Sequence, residues 1–157
     1  MTIYIGIDPG KTGAIAFLDS ATSFGKVHDM PWIAKDIDIQ QVKGWLKDAR
    51  QKDYCVACLE YQQAFPRQGA VSAYTLGEGV GQLKGLLLGM EIAFEEVRPA
   101  KWKVALSIPV KAPKEQSMMA ARRLFPEADL GRKKDQGRSE ALLIAEYRRR
   151  LENGSIK

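Results

Sequence analysis

The chain opens on an apolar run that cannot tolerate much variation in fold: Ile3-Tyr4-Ile5-Gly6-Ile7-Asp8-Pro9-Gly10-Lys11-Thr12-Gly13-Ala14-Ile15-Ala16-Phe17-Leu18. Two apolar stretches joined by a Pro/Gly turn read as a β-hairpin. One carboxylate, Asp8, lies where the first stretch ends, among apolar neighbours. Burying a charge there is costly unless something compensates it. Other carboxylates converging with Asp8 on a divalent cation would do so, and the remaining sequence can be searched for them.

With 157 residues, the chain is long enough for a sizeable core, and it reads as a single domain over 1–157. Hydrophobic residues make up 45% and charged residues 27%, as in an ordinary globular protein, and no apolar run reaches 18 residues. The first residues enter a strand with no secretory pattern, so the expected location is cytoplasmic, with no membrane association. Cys55 and Cys58 form C-x-x-C, but the chain has only these two cysteines and a single His, His28. That is too few ligands for a zinc site, and in a β-like run the two thiols fall on opposite faces. They read as core cysteines of a reducing compartment.

Strand-like runs cover 2–7, 13–18, 25–30, 54–60 and 92–97, the first three close enough to form an antiparallel meander. Asp36 is the expected cap of a helix carrying Ile39, Val42, Trp45, Leu46 and Ala49. A second helix spans about 72–90, with Gly77, Gly81, Gly85 and Gly89 on one stripe. Each glycine costs about 1 kcal/mol relative to alanine. The stripe is expected to allow close packing onto the sheet, the alternative being a dimer contact. Helical segments near 99–106, 113–124 and 136–151 follow. The order predicts an α/β fold with a mixed five-stranded sheet, three antiparallel strands and then parallel ones, flanked by helices.

Glu60 ends the fourth strand on the face shared by Val56 and Cys58, and a parallel pairing with the first strand would bring it to Asp8. Glu140 opens the last helix, and Asp135 precedes it by five residues, able to converge only from the loop or cap. Carboxylates gathered from separate elements make a hard-oxygen site for Mg²⁺ or Mn²⁺, as phosphodiester hydrolysis requires. Each acid also has a plain reading: Glu60 as a solvated strand end, Glu140 as a helix N-terminal acid. Charge is uneven along the chain. Residues 1–97 carry a net −3 and residues 98–157 a net +8, which points to a polyanionic partner or to a solvated helical surface.

Gly6-Ile7-Asp8-Pro9-Gly10 with Gly13, Leu59-Glu60, Val97-Arg98-Pro99-Ala100-Lys101-Trp102-Lys103 and Asp135-x-Gly137-Arg138-x-Glu140-Ala141-Leu142 together resemble RuvC-type Holliday-junction resolvases, particularly phage-borne members. The resemblance spans nearly the whole chain. It implies an RNase H-like fold, a homodimer of phage or bacterial type, and metal-dependent nicking of four-way DNA junctions. The implied catalytic and metal-binding residues are Asp8, Glu60, Asp135 and Glu140. Two departures stand out: Gly at 137, where the family usually places an acid or His three residues before the last acid, and Glu at 140 where Asp is usual.

Within that reading, 61–69 is a junction-probing loop, in which Phe65 stacks on a base or packs on Pro66, and Arg67 holds a phosphate. Lys101, Lys103, Lys111, Lys114, Arg132, Lys133 and Lys134 are candidate phosphate contacts, one of them also serving the transition state. Trp102 is expected in the core. Gly10-Lys11-Thr12 lacks the glycine spacing of a P-loop, so no nucleotide cofactor is expected. The competing readings are an RNase H or transposase-like nuclease of the same fold, and a non-catalytic protein that binds branched DNA.

Overall fold

The computed structural model describes residues 1–20 and 25–156. Its main sheet has five strands: β1 (Thr2–Asp8), β2 (Ala14–Asp19), β3 (Lys26–Asp29), β6 (Tyr54–Glu60) and β7 (Ala93–Val97). A separate two-stranded hairpin, β4 (Trp32–Ile33) and β5 (Asp36–Ile37), follows β3. The sheet order is β3-β2-β1-β6-β7, with β1–β2 and β2–β3 antiparallel and β1–β6 and β6–β7 parallel. The mixed five-stranded sheet of the sequence reading is present, and the small hairpin is an addition to it. Its turn at Ala34 has φ +55° without a glycine, so no residue type marked it in advance.

The helices are α1 (Ile39–Arg50), α2 (Ala70–Gly89), α3 (Pro99–Ala105), α4 (Lys114–Leu124) and α5 (Gln136–Glu152). Strand β1 is covered on both faces, which is why it reads as a nearly unbroken apolar run. Ile3, Ile5 and Ile7 join Cys55, Ala57 and Leu59 under α1 and α2. On the other face Tyr4, Val56 and Cys58 pack with Trp102 and with Ala141 to Ala145 of α5. The two cysteines therefore lie on opposite faces, buried and free, and burial pushes the Cys55 thiol up to about 11.

Two helix expectations need correction. The cap of α1 is Asp38, whose carboxylate accepts from the Gln41 amide at 3.0 Å, whereas Asp36 is taken into β5 opposite Ile33. In α2, Gly79, Leu83 and Leu87 are the buried residues. Gly77, Gly81, Gly85 and Gly89 are exposed, and a Cβ on any of them would meet nothing within 4 Å. The glycine stripe lies about half a helical turn from Leu83 and Leu87, so it cannot also face the sheet.

Helix α5 approaches β1 very closely. A Cβ on Gly6 would sit 2.0 Å from the Ala141 carbonyl oxygen and 2.5 Å from the Ala145 amide nitrogen. These are backbone atoms, so relief requires α5 to move bodily. Gly6→Ala is expected to destabilise the protein by about 2–3 kcal/mol or more, as overpacked cores do, with a lowered urea midpoint as the readout.

Candidate active site

Asp8 and Glu60 end neighbouring strands. Ile7 pairs with Leu59 in the parallel β1–β6 ladder, so the next residues, Asp8 and Glu60, lie side by side at the C-terminal edge. Both share a face with Gly6 and Cys58, the face that α5 covers. Because α5 touches β1 at Gly6 through Ala141, the residue before it, Glu140, is brought to the same edge. Three carboxylates from three elements are brought to that edge, and the charge of Glu140 pushes both Asp8 and Glu60 upward.

Each acid has a holding partner. Asp8 Oδ1 accepts from the Gly10 amide at 3.0 Å, closing the Asp-Pro-Gly turn. Glu60 Oε2 accepts from the Trp102 indole Nε1 at 2.9 Å, and its Oε1 from Gln62 Nε2 at 3.1 Å. Glu140 Oε1 accepts from Gln136 Nε2 at 3.2 Å and lies 3.8 Å from Lys103 Nζ. Among the described residues, no three acidic, His or Cys side chains already form a closed metal cluster. The donor set of three carboxylates nevertheless fits a hard divalent cation.

The electrostatics show what such an ion would relieve. Burial pushes Asp8 up to about 6, against the Gly10 hydrogen bond and with a further push from Glu140. Burial, followed by the charge of Asp8, pushes Glu60 up to about 7, with Trp102 opposing. Lys103 lowers Glu60 as well, and its ammonium lies 5.3 Å from the Trp102 ring centroid.

Asp135 is engaged within the protein. It occupies the N-cap position of α5, but both carboxylate oxygens go to Arg132: Oδ2 accepts from its amide and Oδ1 from its Nε, each at 2.7 Å. The carboxylate is fully buried against that guanidinium. Arg132 also pairs with Asp29 at 3.1 Å, so its half-exposed guanidinium joins an ion-pair network. Arg138 joins that network, 2.7 Å from Asp29 and 3.0 Å from Asp129. Gly137 also finds its reason: a Cβ there would lie 2.0 Å from the Thr12 carbonyl oxygen, so an acid at this position has no room.

The other candidates fall into two groups. Lys103 belongs to the acidic centre. Lys101, Lys111, Lys114, Lys133 and Lys134 are exposed, as are Phe65 and Arg67 in the loop after Glu60. Phe65 is 63% exposed rather than packed on Pro66. Trp102 is fully buried as expected, but nothing in its sequence context signals that its indole holds Glu60. Gln62 and Gln136 were also missed, since a glutamine two or four residues from an acid is unremarkable in sequence.

Solved structures with this fold are known. Thermus thermophilus RuvC superposes with a TM-score of 0.64 and 18% identity, over 99% of this chain and 98% of that one. The same protein in complex with a Holliday junction substrate gives 0.67 and 19%, over 100% and 99%. The fold is that of RuvC. It is an RNase H-like fold in which the mixed sheet carries helices on both faces. No family model matches the chain. Among curated proteins, the chloroplastic Holliday junction resolvase MOC1 of Chlamydomonas reinhardtii is 35% identical over 91 residues. That match spans 57% of this chain and a tenth of the relative's length. No helix among the described residues is long and apolar enough to cross a membrane.

The raised carboxylates dictate a sign. Asp8 and Glu60 bind protons more tightly folded than unfolded, so their contribution favours folding at low pH and is lost as pH rises from about 4 through about 7. In EDTA at pH 8, Asp8→Asn is expected to stabilise the protein by about 2 kcal/mol, an advantage that disappears near pH 3. Thermal melts of both proteins across that range check it.

Proposed function

We propose that this chain, as a single nuclease domain over 1–157, is a metal-dependent endonuclease that nicks branched DNA, with four-way junctions as its principal substrate. The observation that carries the reading is the meeting of Asp8, Glu60 and Glu140 at one edge of a RuvC-type sheet, with Lys103 among them. The relatives named for Holliday junctions supply the substrate class.

Asp8, Glu60 and Glu140 would hold Mg²⁺ or Mn²⁺, which supplies Lewis-acid polarisation of the phosphate and a nucleophilic water when bound. Water oxygen forms the new bond to phosphorus as the bond to the 3′ oxygen breaks, leaving a 5′-phosphate and a 3′-hydroxyl. The Gly10 amide fixes Asp8, and the Trp102 indole fixes Glu60, so two of the carboxylates are oriented before substrate arrives. Lys103 faces the charge that develops on the phosphate. Phe65 on the exposed loop stacks on a base at the branch point, and Arg67, Lys101, Lys111, Lys114, Lys133 and Lys134 contact phosphates. The buried free thiols suit a reducing, cytoplasmic setting.

A homodimer supplies two such centres for paired nicks. The exposed glycine face of α2, bordered by Val71, Tyr74 and Leu88, is 66% or more exposed at those three side chains and suits helix-against-helix contact with a second copy. Gly81→Lys is expected to convert the dimer to monomer in sedimentation equilibrium without lowering the melting temperature of the fold, because lysine is the better helix former.

Cleavage tests the function directly. Synthetic four-way junctions, forks, flaps, linear duplex and an RNA–DNA hybrid are incubated with Mg²⁺, Mn²⁺ or EDTA. Paired symmetric nicks in the junction are expected, abolished by EDTA. Asp8→Asn, Glu60→Gln and Glu140→Gln should each lower the rate by at least about 10²-fold while junction binding persists. Cutting of the hybrid but not of branched DNA would establish an RNase H instead. Tight junction binding with no cleavage under any metal would establish a binding protein.

A further inference from the structure

Beside Asp8, on the side away from α5, lies a cavity of about 780 Å³. Three elements wall it. The β1–β2 turn contributes Pro9 and Lys11, the β4–β5 hairpin contributes Trp32, Ala34 and Lys35, and the start of α2 contributes Val71, Thr75, Leu76 and Gly79 with neighbouring polar groups. Its size is that of a small-ligand site. Another cavity, about 460 Å³, lies near Ile3, toward the opposite end of β1.

The lining is of two kinds. Pro9, Trp32, Val71 and Leu76 give apolar and aromatic surface, while Gln68, Ser72 and Thr75 give a few hydrogen-bonding groups. Lys11 and Lys35 are exposed cations of the same wall. The Trp32 indole Nε1 is buried and has no acceptor among the described residues. An indole N–H only donates, and leaving a buried donor unpaired is unfavourable enough that native proteins rarely do so without a bound partner. The hairpin that presents Trp32 also holds Ala34 at φ +55°, a conformation that an L-residue keeps only when its surroundings enforce it.

We infer that this cavity receives one unstacked nucleobase of the strand being cut, with Lys11 and Lys35 on the flanking phosphates. The inference rests on the endonuclease reading above. A flat heteroaromatic ring matches a pocket that is mostly apolar with a sparse polar lining. A ring seated there is tethered to a backbone that passes Pro9, the residue next to Asp8, so filling the pocket positions the adjoining phosphodiester at the carboxylates. An apolar side chain of a partner protein would use the walls but leave both lysines without a role. The pocket thereby becomes the place where the nuclease acquires a preference for the nucleotides around its cleavage point.

The test combines base deletion with pocket filling. Four-way junctions are made with a single abasic residue at each of the three positions on either side of the cleaved bond. Single-turnover cleavage is measured for wild type, for Thr75→Trp, which fills the cavity from α2, and for Trp32→Phe, which keeps the ring and removes the donor. At one position, base deletion is expected to slow wild type about tenfold or more and Thr75→Trp by less than about twofold. Trp32→Phe should alter which bases are preferred at that same position. Equal slowing of wild type and Thr75→Trp by every abasic residue, or no slowing of either, would overturn the inference. A wild-type protein that cuts no junction would instead overturn the functional reading on which it rests, and thermal melts identify a variant that has not folded.

Discussion

Everything at the site depends on α5 lying directly on β1. Gly6 permits it, because any side chain there would strike the backbone of Ala141 and Ala145. Gly137 makes the second point of contact, against the Thr12 carbonyl of the β1–β2 turn. Two glycines, one in a strand and one in the first turn of a helix, thus fix the angle and height at which α5 crosses the sheet. Glu140 sits between those two contacts, and its distance from Asp8 follows from them rather than from any attraction between the acids. The acids repel, so packing must hold them together.

That repulsion is the second theme. Burial and mutual charge push Asp8 and Glu60 toward neutrality, and the protein answers with one hydrogen bond from Gly10, one from Trp102 and one nearby ammonium, Lys103. These hold the carboxylates in place without neutralising them. A site prepared in this way gains the most from a divalent cation, since the ion removes the unfavourable interaction that the fold sustains without it.

The basic C-terminal third has a more mixed role than its charge suggests. Arg132 and Arg138 clamp Asp29 of β3 and, for Arg132, Asp135, while Arg148 reaches Glu95 and Arg150 pairs with Glu146. Two of these acids, Asp29 and Glu95, come from the acidic first part of the chain, so part of the +8 balance is met within the protein. What remains outward is chiefly lysine: Lys101, Lys111, Lys114, Lys133 and Lys134. The division is chemically sensible, since planar guanidinium groups suit fixed bidentate pairs and lysines suit loosely positioned phosphates.

The order of strands and helices, the shared face of Val56, Cys58 and Glu60, and the approach of Asp8 to Glu60 were legible in the sequence, because alternation and helical spacing are local and repeat along the chain. The opposed burial of Cys55 and Cys58 followed from the same rule. Other features belonged to tertiary structure alone. Asp135 has the residue type and position of a ligand, yet Arg132 takes both its oxygens. The glycine stripe of α2 faces outward because Leu83 and Leu87 already fill the sheet side. The hairpin that brings Trp32 to the cavity beside Asp8 carries no turn glycine to announce it. A partner distant in sequence decides where a side chain's hydrogen bonds go, and such partners have no period that a sequence can show.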